Sequence, residues 1–189
     1  MNRDEAMALL REFTKNENLI KHALGVEAGM RAYARKLGGD PDVWSIVGLI
    51  HDFDWEIHPQ APDHPMQGAE ILKARGYPDE VIYCIKSHAT YSGCPRVSPM
   101  DKALFACDEL VGLITAAALV LPDRSLHTLQ PASVRKRMKE KSFAKTVHRE
   151  DILQGALELG VDLDEHIAFV LDAMRGIAAE LGLGGRPNL

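Results

Sequence analysis

Apolar residues recur at helical spacing along most of the chain, and no segment combines strict alternation with enough β-branched residues to indicate a sheet. The pattern therefore predicts an all-α fold. The predicted helices cover approximately residues 4–13, 16–37, 41–50, 65–75, 79–87, 99–121, 133–141, 149–159 and 163–181.

Local signals mark several helix ends. Asp40-Pro41 and Ser98-Pro99-Met100-Asp101 each place a capping side chain before a proline in the first turn. Gly38-Gly39 suits a left-handed helix terminator. Residues 53–63 hold two prolines and several polar groups, which predicts a loop.

The composition is that of an ordinary globular protein, with 46% hydrophobic and 26% charged residues in a chain of 189. The formal net charge of −5 argues against a nucleic-acid polymer as the main partner, whereas a small anionic substrate fits if bound metal supplies positive charge. One dense basic run, residues 135–141, is interpreted as a solvated helix face.

Three cysteines without a CxxC spacing favour reduced thiols in the cytoplasm over a disulfide framework. The N-terminal segment lacks the basic start and apolar block of a secretory signal. The most apolar stretch, Leu110 to Leu121, is shorter than the roughly 20 residues that cross a bilayer. We therefore expect a cytoplasmic protein without membrane insertion.

Histidines and aspartates fall at helix ends, beside loops and within an apolar helix. A carboxylate in an apolar helix, such as Asp108, needs a partner or a bound cation. Imidazoles and carboxylates on different helices of a bundle suit transition metals. If Asp52 bridges, one ion takes three further ligands and a second ion takes two, leaving open positions for water. The predicted ligands are His22, His51, Asp52, His64, His88 and Asp108.

Each of these residues alone has a structural explanation, such as a partly buried histidine or a salt-bridged carboxylate. The ordered set, however, resembles the HD superfamily of metal-dependent phosphohydrolases, in which a His, a His-Asp pair, two further His and a late Asp follow one another. The segments LeuIleHisAspPhe and HisProMetGlnGlyAlaGluIleLeu look like the corresponding helix end and helix start in that family. The likeness spans approximately residues 16–115.

The resemblance implies a single HD-type helical bundle over residues 1–189, with the metal site in its core and the helices of residues 133–181 packed against it. It implies two divalent ions per chain, drawn from Fe, Mn, Co, Ni or Mg. It also implies hydrolysis of a phosphomonoester or phosphodiester, for example in a nucleotide, by metal-activated water with His51 and Asp52 as catalytic residues. Two alternatives stay open: a di-iron oxygenase related to inositol oxygenases, and a noncatalytic ligand-binding regulatory domain.

The sequence also suggests roles for residues outside the six predicted ligands. Asp54 and Glu56 could orient ligands or relay a proton, and Arg96 could contact an anionic substrate. Glu109 is expected to face solvent or a neighbouring helix, and His148 to be structural or on the surface. The apolar face of the last helix either packs in the core or forms a homodimer contact.

Overall fold

The computed structural model describes residues 2–185, and within them the chain folds into α-helices without a strand. This confirms the predicted all-α class. Residue 1 and residues 186–189 of the predicted domain lie outside the described residues. The helices are α1 (Arg3–Phe13), α2 (Glu17–Leu37), α3 (Pro41–Ile50), α4 (Asp63–Ala74), α5 (Asp79–His88), α6 (Pro99–Leu119), α7 (Pro131–Arg137), α8 (Arg149–Leu159), α9 (Leu163–Arg175) and α10 (Ala178–Leu181).

Helix ends that carry local signals lie where the sequence predicts them. The Ser98 hydroxyl accepts a hydrogen bond from the N–H of Asp101 at 3.1 Å, and the Asp101 carboxylate accepts one from the N–H of Ser98 at 2.9 Å. This reciprocal pair satisfies two otherwise free donors at the start of α6. Helix α2 ends at Gly38 with φ of 76°, a left-handed conformation that favours glycine.

Two predicted helices have different bounds. The helix predicted over residues 133–141 is α7, which starts at Pro131 and ends at Arg137. The chain turns at the buried Met138, so the rest of the basic run lies outside the helix. The last predicted helix is divided into α9 and α10. Gly176 follows α9, and Ile177 leaves the helical region with φ of −121° and ψ of 20°.

The close packing of α2 against α3 brings together two segments that carry predicted ligands. Gly48 of α3 faces the backbone of α2, and a Cβ atom on Gly48 would lie only 2.9 Å from the backbone nitrogen of Glu27. The two helices can approach this closely only because Gly48 has no side chain. α6 packs against α2 and α8, so it runs through the middle of the helical assembly.

The apolar face of α9 is covered within the chain. Ile167, Val170, Leu171 and Met174 are all buried in the main core, and Ile177 packs partly against it. The homodimer stays a prediction. Among the described residues, no helix combines the length and the apolar character that crossing a membrane requires.

Candidate metal centre

The six predicted ligands come from five different parts of the fold. His22 lies in α2, and His51 and Asp52 directly follow α3. His64 lies in the first turn of α4, where its extended ψ of 135° interrupts the helical backbone. His88 is the last residue of α5, and Asp108 lies in the middle of α6. The fold brings all six together into two adjacent groups that share Asp52.

The first group consists of His22, His51, Asp52 and Asp108. The Nε2 atom of His22 lies 2.9 Å from Oδ1 of Asp108. The Nε2 atom of His51 lies 3.4 Å from the same oxygen and 3.5 Å from Oδ2 of Asp52. Two imidazoles and two carboxylates therefore present their donor atoms to one small volume.

The second group consists of Asp52, His64 and His88. The Nε2 atoms of both histidines lie 3.2 Å from Oδ1 of Asp52 and 3.3 Å from each other. Asp52 thus turns Oδ2 toward the first group and Oδ1 toward the second. A carboxylate in this arrangement can bridge two cations.

The hydrogen bonds of the ring Nδ1 atoms indicate that these groups suit metal ions. His51 donates from Nδ1 to the carbonyl oxygen of Gly48 at 2.8 Å, and His88 donates from Nδ1 to that of Ile85. A carbonyl oxygen only accepts, so the neutral form of each ring has a lone pair on Nε2. The Nε2 atom of His51 is buried and has no hydrogen-bond partner among the described residues. Lone pairs that face carboxylates need a cation between them, and divalent metals fit this donor set.

The same crowding of carboxylates changes the proton affinity of the rings. Burial lowers the pKa of His51, but the charges of Asp52 and Asp108 outweigh it and raise the pKa to about 9. Burial likewise opposes protonation of His64, whereas its bonds to Asp52 and Asp54 raise the pKa of His64 to about 9. The pKa of Asp52 is held well below its ordinary value because its neighbouring histidines outweigh burial. The site therefore has a strong preference for positive charge.

Asp54 lies directly behind the second group. Its Oδ1 accepts a hydrogen bond from Nδ1 of His64 at 2.9 Å, and its Oδ2 accepts one from the N–H of Gly68 at 3.0 Å. A Cβ atom on Gly68 would lie 2.6 Å from the Asp54 carboxyl carbon, so glycine makes room for this carboxylate. A carboxylate in this position can orient a histidine for metal binding.

Glu56 and Arg96 make other contacts. Glu56 accepts hydrogen bonds from the backbone N–H groups of Lys15 and Asn16, which ties its loop to the start of α2. Arg96 forms a two-point ion pair with Glu158 at 2.7 and 2.9 Å, and it lies over the Phe105 ring at 3.6 Å. It also donates to the carbonyl oxygen of Ser87, next to His88. Substrate contact by Arg96 stays a prediction.

An open cleft of about 450 Å³, the metal cleft, is lined by five of the six residues, and the sixth, His51, is fully buried. Its walls include two exposed aromatic side chains, Trp55 and Tyr91, and three polar residues to which the sequence assigned no site, Glu109, His148 and Asp151. Glu109 accepts a hydrogen bond from the backbone N–H of His148 at 3.1 Å. Burial, together with the neighbouring Asp108, raises the pKa of Glu109 to about 7. The sequence feature that could have indicated a place for Glu109 in the cleft is its position directly after Asp108 in an apolar helix.

Comparisons with known proteins concern the same part of the chain as these residues. Residues 19–111 match the family model of the HD domain. Three similar bacterial proteins carry the name Ribonuclease Y. The protein of Desulfotalea psychrophila (strain LSv54 / DSM 12343) is 31% identical over 97 residues, and that of Thermoanaerobacter pseudethanolicus (strain ATCC 33223 / 39E) is 37% identical over 75 residues. The protein of Lawsonia intracellularis (strain PHE/MN1-00) is 26% identical over 115 residues. No solved structure gives a significant match.

Each aligned region covers only part of this chain and a smaller part of the relative. They cover 51%, 38% and 60% of this chain and 18%, 14% and 22% of the respective relatives. The likeness therefore concerns the helical domain and not the full length of those proteins. The chain therefore contains an HD domain, as the order of its histidines and aspartates predicts, and this domain together with the ribonuclease-named relatives supports a phosphohydrolase.

Proposed function

We propose that this chain hydrolyses a phosphoester of a nucleotide with two divalent ions held at the described centre. One observation carries this proposal: the two carboxylate oxygens of Asp52 face two separate groups of donor atoms. His22, His51 and Asp108 would complete one site, and His64 and His88 the other. Divalent ions in such a pair supply activated water and stabilise charge on a phosphoryl group.

The protein's own residues would orient the ligands and the substrate. The carbonyl oxygens of Gly48 and Ile85 and the carboxylate of Asp54 each accept the Nδ1 hydrogen of one histidine, so that its Nε2 faces the centre. Both sites open onto the cleft, where Trp55 and Tyr91 offer aromatic surface to a nucleoside base. This surface favours a nucleotide over a simple phosphate ester.

RNA is a second candidate substrate, because the relatives named Ribonuclease Y are similar across the HD region. The chemistry at the phosphorus would be the same for a small nucleotide and for a phosphodiester in RNA. The two candidates differ in how much of the substrate lies outside the metal cleft.

The first test combines elemental analysis of protein purified without added metal with phosphate-release and phosphodiester-cleavage assays. Mononucleotides, short RNA and simple phosphate esters would be assayed with Mn, Fe, Co, Ni and Mg. We expect about two ions per chain and metal-dependent hydrolysis. His51→Ala and Asp52→Ala should abolish it, whereas His127→Ala, at an exposed histidine outside the centre, should leave it unchanged.

Three outcomes would contradict the proposal. Full activity in both His51→Ala and Asp52→Ala would exclude the centre from the reaction. Two irons with oxygen uptake and no hydrolysis would indicate an oxygenase. Tight nucleotide binding without turnover under any metal loading would indicate a noncatalytic binding domain.

A further inference from the structure

The basic residues of this acidic protein are concentrated in one segment. Residues 135–149 contain seven of the 22 lysines and arginines and one acidic residue, Glu140, so this segment has a formal charge of +6. The whole chain has a formal charge of −5, so the remainder carries −11. A net charge averaged over the chain therefore conceals a strongly positive surface.

The three arginines of this segment are engaged within the protein. Arg135 pairs with Asp164 at 3.0 Å, and Arg137 pairs with Glu140 at 2.6 Å. Arg149 donates to the carbonyl oxygens of Phe143, Ala144 and Val147 and so holds the loop over residues 143–147 in place. The four lysines are all exposed, and no ion pair found in residues 2–185 involves them: Lys136, Lys139, Lys141 and Lys145.

This segment borders the metal cleft at one end. Thr146, Val147 and His148 form part of the cleft wall, and Lys145 directly precedes them. At the other end, Lys136 lines a groove beside Ala117 of α6. Ala117 lies nine residues beyond Asp108 in the same helix, which corresponds to roughly 13 Å along the helix axis. The lysines thus lie between a residue next to the cleft wall, Lys145, and a groove about 13 Å along α6 from Asp108, where Lys136 lies.

We propose that Lys136, Lys139, Lys141 and Lys145 form a binding track for the backbone phosphates of single-stranded nucleic acid that enters the metal cleft. This inference rests on the proposed hydrolysis at the metal centre and specifies its substrate. Unpaired lysine charge along a backbone, combined with aromatic surfaces on which bases stack, is the recognition mode of single-stranded nucleic acid. Trp55 and Tyr91 provide that surface in the cleft.

The test measures binding of a fluorescein-labelled short oligouridylate with phosphorothioate linkages, which slow cleavage, to the metal-loaded protein by fluorescence anisotropy. Two double variants remove the track: Lys141→Gln with Lys145→Gln, and Lys136→Gln with Lys139→Gln. The matched control, Lys36→Gln with Lys73→Gln, makes the same change in net charge at exposed lysines elsewhere. Hydrolysis of bis-p-nitrophenyl phosphate is measured in parallel.

Each track variant should weaken oligouridylate binding about tenfold at low salt. It should also reduce the slope of log Kd against log salt concentration by roughly 0.7 for each phosphate that a lysine no longer neutralises. Hydrolysis of the small ester should be unchanged. Equal affinity in the track variants, the control and the unaltered protein would overturn the proposal. Equal binding of inorganic polyphosphate, insensitive to Trp55→Leu, would overturn the assignment to nucleic acid.

Failure of this inference can be told apart from failure of the proposed function. If the small ester is hydrolysed but the lysines do not affect oligouridylate binding, the metal-centre reaction stands and the track does not. If no ester is hydrolysed with any metal but binding depends on the lysines, the track stands and the proposed reaction does not.

Discussion

The Nδ1 atom of His64 lies 2.9 Å from Oδ1 of Asp54, and this hydrogen bond determines which ring nitrogen faces Asp52. Because Nδ1 donates to a carboxylate, the neutral ring keeps its lone pair on Nε2, 3.2 Å from Oδ1 of Asp52. Asp54 itself is fully buried and is held by the N–H of Gly68. A residue outside the six thus determines how one of them can act.

The substitution Asp54→Asn should weaken metal binding at the His64 and His88 group. An asparagine can accept from only one of the two donors, so either Nδ1 of His64 or the N–H of Gly68 would face an amide NH2 group. We expect metal affinity to fall by about 10–100-fold. Competition with a chromophoric chelator would measure it, and Glu56→Gln, whose side chain contacts backbone at the start of α2, should leave it unchanged.

The two donor groups predict distinct losses of metal. His88→Ala removes a donor from the group that also contains His64, and His22→Ala removes a donor from the group that also contains Asp108. Each variant should retain about one ion per chain after dialysis, whereas Asp52→Ala should retain none because both groups use Asp52. Elemental analysis measures the ratio, with His58→Ala as a histidine control outside both groups. Two ions retained in Asp52→Ala would rule out a bridging role.

The close approach of α2 and α3 makes a stability prediction. In Gly48→Ala, the new methyl group would lie 2.9 Å from backbone atoms of Val26 and Glu27, which cannot move without shifting α2. We expect a loss of about 1–3 kcal/mol in the free energy of unfolding, measured by urea denaturation. Gly112→Ala is the matched control, because its nearest neighbour is a Val147 side-chain carbon at 3.6 Å and a helical alanine is favourable there. Equal stability of both variants would contradict this interpretation.

Features with a local chemical cause could be predicted from the sequence. The start of α6 follows from a capping serine, a proline and an acidic residue within four positions, and the end of α2 follows from Gly38. The family resemblance depended on six residues whose order and helical context are distinctive. None of these features requires knowledge of how distant segments meet.

The remaining features depend on tertiary contacts. His148 reaches the cleft because Arg149 binds three preceding carbonyl groups and because the backbone of His148 donates to Glu109, 39 residues earlier. No local pattern marks that approach. The sequence likewise predicts a solvated helix face for the basic run, because only the folded loop places the residues that follow it, 146–148, in the cleft wall.

A buried histidine outside the metal centre predicts how stability depends on pH. His166 donates from Nε2 to the carbonyl oxygen of Ala106 at 2.8 Å, and its Nδ1 accepts from the hydroxyl of Tyr33 at 2.6 Å, so the neutral ring joins α9, α6 and α2. Burial, aided by the charge of Lys36, lowers the pKa of His166 from its ordinary value of 6.5, although the bond to Ala106 opposes this. As pH falls below 6.5, the unfolded chain therefore takes up a proton before the folded protein does.

His166 should thus contribute stability above pH 6.5 that is lost as pH falls toward the lowered pKa of the folded state, with a slope of at most about 1.4 kcal/mol per pH unit. In His166→Gln, the side-chain amide can donate to Ala106 and accept from Tyr33 but does not titrate. The variant should therefore show a weaker loss of unfolding free energy with acid, measured by urea denaturation across this range. His127→Gln, at an exposed position, should keep the full dependence. If His166→Gln and the unaltered protein lose stability in parallel, the neutral buried ring is not the cause.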